Sequence, residues 1–213
     1  MNEIQYKKLS VKEFDKVAEK FDGDDPSIYN LCRKDYPDIL AELEKEHFQD
    51  MLDAGCGTGA VIALLKKKYP EKNYTGIDLS GKMIEVAKKK KLDKVIFVQG
   101  DCENLPFAKD SFDVITCSMS FHHYPNPDRF FQSCNRILKS EGRLILRDMT
   151  SSEMLLWFMN HIEIPCMNKL FHKGDVHLYN KKELMLLCEN ANMKLELFEQ
   201  RPGMRLQAVC RKL

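Results

Sequence analysis

Between residues 50 and 148, short apolar runs of strand length alternate with longer helical patterns, and this alternation limits the fold more than any other feature of the chain. Strand-like runs fall at 51–54, 74–77, 95–99, 112–118 and 143–147. Helical patterns fall at about 58–69, 82–91 and 127–138. Such alternation predicts βαβ units and a parallel sheet. The strands are rich in Val, Ile and Leu, as in a sheet covered on both faces. On the first of these helices Val61, Ile62, Leu64 and Leu65 are expected on the buried side. Ser140-Glu141-Gly142 is expected to turn the chain into the fifth strand. After Asp148 the rhythm breaks: residues 151–180 read as apolar and irregular, and a helix resumes at about 181–190. Two last runs, 194–199 and 205–211, flank Arg201-Pro202-Gly203, a turn signal that predicts an antiparallel hairpin. Leu9, Val11, Phe14, Val17, Ala18 and Phe21 recur at three- and four-residue spacing, which predicts a short N-terminal amphipathic helix.

The segment Leu52-Asp53-Ala54-Gly55-Cys56-Gly57-Thr58-Gly59 sets three glycines at the first strand-to-helix turn. Glycine lets a backbone turn tightly and approach a ligand closely. The edge of a parallel sheet is where nucleotide-like ligands bind. The spacing is G-x-G-x-G, whereas the dinucleotide fingerprint is G-x-G-x-x-G, and the G-K-[ST] of a phosphate-binding loop is absent. Asp53 stands two residues before the first glycine, where a carboxylate would repel a pyrophosphate and attract a cation. The loop therefore suits a nucleoside with positive charge and no phosphate, and S-adenosylmethionine is such a ligand. Asp78 ends the second strand about 20 residues on, where a carboxylate can accept both ribose hydroxyls. Asp101 follows the third strand; it can accept from an adenine amino group or cap the turn after Gly100.

Four segments resemble the class I S-adenosylmethionine-dependent methyltransferases: LDAGCGTG (52–59), TGIDLSGKMIEVAKKK (75–90), FVQGDCENLPFAKDSFDVITCSMSFHHY (97–124) and RILKSEGRLILRDM (136–149). They are most similar to the small-molecule branch of the ubiquinone/menaquinone-biosynthesis type, as is FDKVAEKFD (14–22). The resemblance implies an α/β, Rossmann-like, doubly wound sheet of seven strands, mostly parallel with an antiparallel last strand, and helices on both faces. Residues 1–213 would form one domain, with an N-terminal helical lid at 1–48 and a small helical cap at 150–180. It also implies roles. Asp53, Gly55, Cys56, Gly57 and Gly59 would wrap the methionine part of the cofactor, and Asp78 would hold the ribose. Leu79 and Met83 would flank the adenine, and Asp101 and Cys102 would recognise it. Ser118 and Met119 would lie close to the methyl donor. Ser140-Glu141-Gly142 departs from the Pro-Gly-Gly common in the family, which alters a turn.

Methyl transfer from a sulfonium is an in-line displacement, so the protein mainly aligns the reactants and excludes water. A general base is needed only when the nucleophile has a proton to lose. His122 and His123 follow the fourth strand and are the candidates for that role or for shaping the acceptor pocket; Tyr124 and Asp148 are weaker ones. No metal is expected, because adjacent histidine side chains should diverge and no ligand cluster stands out in the sequence. Tyr6, Phe14, Phe21, Tyr29 and Tyr36, with Met154, Trp157, Phe158, Met159, Ile162, Met167 and Phe171, are candidates to close over the acceptor. Their apolar character favours a small or lipophilic acceptor over RNA or a protein tail.

The 33 basic residues nearly balance the 32 acidic ones, so nucleic-acid binding is not expected. The eight cysteines hold no C-x-x-C spacing and read as buried reduced thiols. No apolar run approaches the roughly 20 residues of a membrane span. With no secretory leader pattern at the N-terminus, the reading is a cytoplasmic enzyme, monomeric or homodimeric, that yields S-adenosylhomocysteine. The other readings are an NAD(P)-dependent oxidoreductase and a non-catalytic S-adenosylmethionine-binding protein on the same fold.

Overall fold

The computed structural model describes residues 1–23 and 32–213. Seven strands form one sheet: β1 (Asp50–Ala54), β2 (Asn73–Asp78), β3 (Val95–Gln99), β4 (Phe112–Ser118), β5 (Leu138–Met149), β6 (Met193–Arg201) and β7 (Arg205–Lys212). Their order across the sheet is β3-β2-β1-β4-β5-β7-β6. The first five strands are parallel, and β7 runs antiparallel to both β5 and β6. The order reverses between β1 and β4. There the two crossovers leave in opposite directions and open a crevice at the carboxyl ends of the strands.

Alternate residues of the central strands face opposite sides of the sheet. Leu52, Ile115 and Leu144 join one core and Met51, Val114 and Ile145 the other, all essentially sealed from solvent. The first core is closed by α5 (Pro127–Ile137) and α8 (Lys181–Asn190), through Phe130, Phe131, Leu184 and Leu187. The second is closed by α2 (Tyr36–Leu43), α3 (Ala60–Lys68) and α4 (Gly81–Lys89), through Ile39, Leu43, Ile62, Leu65 and Ala87. Leu64 is 44% exposed, so the buried stripe of α3 is Val61, Ile62 and Leu65. Positions 61, 62 and 65 span one narrow helical face, and position 64 falls beside it.

A polar layer locks α2 to the far half of the sheet. Asp35 is wholly buried and pairs with Arg147 of β5, Nη2 to Oδ1 at 2.7 Å, and with Arg205 of β7. Arg147 Nη1 also donates to Gln207 Oε1 at 2.9 Å, and Gln207 Nε2 donates to Glu42 Oε2 at 3.0 Å.

Three expectations change. β5 begins at Leu138, directly after α5, and the turn at 140–142 lies inside it. Glu141 takes a positive φ of 61° there, and the pairing with β4 shifts register between Phe112 and Val114. Residues 153–171 are helical and not irregular: α6 (Glu153–Phe158), a π-helical turn (Met159–Glu163) and α7 (Ile164–Phe171). The N-terminal helix α1 (Glu3–Val17) forms, yet it has no buried residue, and only Ala18 just beyond it is sealed. No helix among the described residues is long and apolar enough to cross a membrane.

Candidate active site

The carboxyl ends of β1, β2 and β4 and the turn after β3 converge on one cavity. Its wall includes Asp53, Gly55, Cys56, Gly57, Asp78, Leu79, Met83, Asp101, Cys102, Ser118, Met119 and His123. With Tyr124, which also lines it, thirteen of the sixteen cofactor-binding and catalytic candidates named from the sequence share one space. Gly59, His122 and Asp148 do not line it. Gly59 N-caps α3 at φ +75°, and a Cβ there would collide with the Phe97 ring. His122 lies behind His123.

The glycine loop owes its shape to backbone chemistry. Gly55 and Gly57 also take positive φ, +73° and +52°. A Cβ on Gly55 would overlap the Ser120 hydroxyl, whereas one on Gly57 would meet nothing nearer than Phe21, 4.0 Å away. Gly57 therefore presents bare backbone to the cavity.

The three carboxylates differ. Asp53 is buried, and its Oδ1 accepts from Thr116 Oγ1 at 2.7 Å. Burial pushes its carboxyl up to about 7 against that bond, and the charge of Asp78 adds to the rise. Asp78 accepts the Gly57 amide at 2.8 Å on one oxygen and the Ser80 amide at 2.9 Å on the other. Burial still pushes it up to about 6. Asp101 does cap the turn after Gly100, through the Glu103 amide at 3.0 Å, and its other oxygen pairs with Lys7 of α1 at 2.7 Å. Ser118 Oγ is buried on the cavity wall without a hydrogen-bond partner. A buried orphan hydroxyl beside bare glycine backbone and carboxylates fits a polar, cationic nucleoside ligand.

The N-terminal segment covers this cavity. Lys7, Ser10, Phe14, Phe21, Cys32 and Tyr36 line it. Asp15 accepts from Ser80 Oγ at 2.5 Å, Asp22 accepts from Thr58 Oγ1 at 2.5 Å, and Lys7 also reaches Glu103. Of the aromatics expected here, Phe14, Phe21 and Tyr36 take part, Tyr6 does not, and Tyr29 lies outside the described residues. Residues 150–180 behave differently from expectation: none of their apolar side chains lines the cavity. Met154, Trp157, Phe158, Ile162 and Phe171 are exposed, and Met159 packs with Leu156, Ile164 and Leu178 in a small core of its own.

Behind the wall, the turn Phe121–His123 packs two histidines against each other, their ring centroids 4.1 Å apart and their planes tilted by 41°. His122 Nδ1 meets Asp148 Oδ1 at 2.6 Å, and Asp148 Oδ2 accepts the His122 amide at 3.2 Å. For His122, burial disfavours the proton, but the Asp148 carboxylate outweighs it and raises the pKa. For His123, burial and then the neighbouring His122 push the imidazole down to about 4. Divergence of the pair, expected from adjacency, does not occur. The Val176 and His177 amides both donate to the His122 carbonyl, at 2.8 and 3.2 Å. They lay Asp175 against both rings and draw them together.

The chain is similar to known proteins. The methyltransferase domain family matches residues 52–146. A demethylmenaquinone methyltransferase of Thermotoga maritima is 34% identical over 187 residues, which cover 81% of this chain and 78% of that protein. The chain belongs to the methyltransferase family. The enzyme is thus an S-adenosylmethionine-dependent methyltransferase, and the oxidoreductase reading falls away. The methyltransferase is also 36% identical over 151 residues to a phthiotriol/phenolphthiotriol dimycocerosates methyltransferase of Mycobacterium leprae, covering 70% of this chain and 54% of that one. Its fold matches a SAM-dependent methyltransferase of Aquifex aeolicus at a TM-score of 0.69, with 21% identity over 93% of this chain and 98% of the other. Lys7, Ser10, Thr58, Ser120 and Pro125 enter the methyltransferase's cavity without having been singled out in the sequence. Ser120 stood next to a candidate; Lys7 meets its partners across 94 and 96 residues, and no local signal marks it.

Proposed function

We propose that the cavity holds S-adenosylmethionine and that the enzyme methylates a small, lipophilic acceptor under the N-terminal lid. Asp53, Gly55, Cys56 and Gly57 enclose the methionine part, with Gly59 setting the loop's exit into α3. Asp78 takes the ribose hydroxyls while holding the loop through Gly57. Leu79 and Met83 sandwich the adenine, and Asp101 and the Cys102 amide read its edge. Ser118 and Met119 lie near the methyl group, and the Ser118 hydroxyl finds there the partner it lacks. The observation that carries the reading is the meeting of the three strand-end carboxylates and an orphaned hydroxyl on one cavity wall.

The cofactor supplies an electrophilic methyl on a good leaving group. The chain's own work is to align and to exclude water. Phe14, Phe21 and Tyr36 roof the acceptor side with aromatic surface. That suits an apolar acceptor, as do the quinone- and lipid-related names of the relatives. His123, on the wall, can orient a hydroxyl or amine nucleophile; burial pushes its imidazole down to about 4 and so makes it a weak base. His122, itself held by Asp148, packs against its ring from behind.

S-adenosylhomocysteine should raise the melting temperature of the wild type and leave Asp78→Ala unmoved. An equal shift in the variant would overturn the placement. A screen with methyl-labelled cofactor should then find transfer to apolar phenols or quinols; transfer to polar amines alone would overturn the acceptor class.

A further inference from the structure

Among the described residues, His122, His123 and Asp175 bring three potential metal-ligand atoms within 4.8 Å of one another. Asp175 Oδ1 lies 3.6 Å from His122 Nε2 and 3.3 Å from His123 Nδ1. Two ligand atoms bound about 2.0–2.2 Å from a tetrahedral zinc ion are about 3.3–3.5 Å apart. Two edges of a coordination polyhedron are therefore already nearly in place. The third, between the ring nitrogens, is within 4.8 Å.

Two further features separate this cluster from an ordinary pair of hydrogen-bonded histidines. His122 is backed by a buried carboxylate: Asp148 meets its Nδ1 at 2.6 Å and leaves Nε2 pointing at Asp175. A carboxylate behind a histidine is the arrangement that orients metal ligands and raises their basicity. Meanwhile His123 Nδ1 is buried and makes no hydrogen bond, even with Asp175 Oδ1 at 3.3 Å. A buried nitrogen left in that state is destabilising. A cation between the three groups would satisfy it.

We propose that His122 Nε2, His123 Nδ1 and Asp175 Oδ1 bind a first-row divalent cation, with Asp148 as the carboxylate behind His122. Two imidazoles and one carboxylate are a donor set for zinc and its neighbours and not for magnesium or calcium, which prefer oxygen alone. Three protein ligands leave a position open, as in catalytic sites. His123 belongs to both the cluster and the cavity wall. The cation's role, that of a Lewis acid to an acceptor oxygen, rests on the function proposed above; its binding does not.

The test uses the full chain after chelator treatment, titrated with Zn²⁺ by calorimetry and with Co²⁺ by visible absorption. The expected result is one equivalent bound, with the intense visible bands of tetrahedral cobalt and no thiolate charge-transfer band. Asp175→Asn, at a partly exposed side chain, and His123→Gln should weaken binding at least tenfold with an unchanged circular dichroism spectrum. Asp148→Asn should weaken it about 10–100-fold. Absence of stoichiometric binding overturns the proposal, as does equal binding by all three variants or a cobalt spectrum dominated by thiolate. S-adenosylhomocysteine binding, measured in parallel on metal-free protein, reports on the cofactor placement alone, so failure of one reading does not imitate failure of the other.

Discussion

The Asp78 carboxylate accepts the amide of Gly57 at 2.8 Å. The end of β2 thus braces the loop that leaves β1, and one acidic side chain both shapes the site and lines it. Gly57 needs its positive φ for that amide to point inward.

The loop glycines differ in what they tolerate. Gly55→Ala should both destabilise the protein, by about 1–3 kcal/mol from backbone strain alone, and abolish the thermal shift from S-adenosylhomocysteine, because its Cβ would strike Ser120. Gly203 also has a positive φ, +78°, but a Cβ there meets nothing within 4 Å. Gly203→Ala should cost only about 1 kcal/mol and leave ligand binding intact. Chemical denaturation and differential scanning with ligand distinguish the two; equal effects would contradict the geometry.

Asp53 gives a pH signature. Its folded pKa of about 7 lies above the unfolded value, so the folded state binds the extra proton. The stabilisation from that proton is complete below the unfolded pKa of about 4 and is lost as pH rises through about 7. Asp53→Asn keeps an acceptor for Thr116 and carries no charge. Relative to the wild type it should therefore gain stability between pH 5 and pH 8, read as the difference of the two melting curves. Over the same interval the wild type should bind S-adenosylmethionine more tightly and release protons on binding, while the variant should not.

Lys7→Ala should loosen the lid. The lysine ties α1 to Asp101 and Glu103, and it is about a quarter exposed. Its loss should cost on the order of 1 kcal/mol of stability. Stopped-flow release of S-adenosylhomocysteine should become severalfold faster. An unchanged release rate would show that α1 does not gate the cavity.

Asp35→Ala should be among the most damaging single changes outside the site. It removes the fully buried carboxylate shared by Arg147, which is 2% exposed and keeps only the partly exposed Asp38 as an acidic partner, and Arg205. Breaking one partner of a buried pair costs about 3–5 kcal/mol. Urea denaturation should show that loss; a cost below about 1 kcal/mol would mean that water reaches the pair.

Much of the fold was legible because it repeats. Alternating periods of two and about 3.6 residues marked β3, β4 and α8 to the residue and the remaining core strands to within a few positions. The exception among the five was β5, whose start was hidden because a bulge with Glu141 at positive φ looks, in sequence, like a turn before a strand. The segment at 151–180 misled for a different reason. Its helices carry Trp157, Phe158 and Phe171 outward, so the apolar residues follow no buried stripe. The floor of the cavity was legible because strand ends next to glycines are local features.

The sequence by itself determined the sheet, the glycine loop and the three carboxylates at the strand ends, since each depends on neighbours within a few residues or on a simple period. Only the tertiary structure decided how those groups are used. It showed Asp101 partnered by Lys7, Asp78 bound to the glycine loop, and His122 and His123 drawn together over Asp175. These are contacts between residues tens of positions apart. Their existence depends on which chain segment crosses above the sheet, and no local pattern records that.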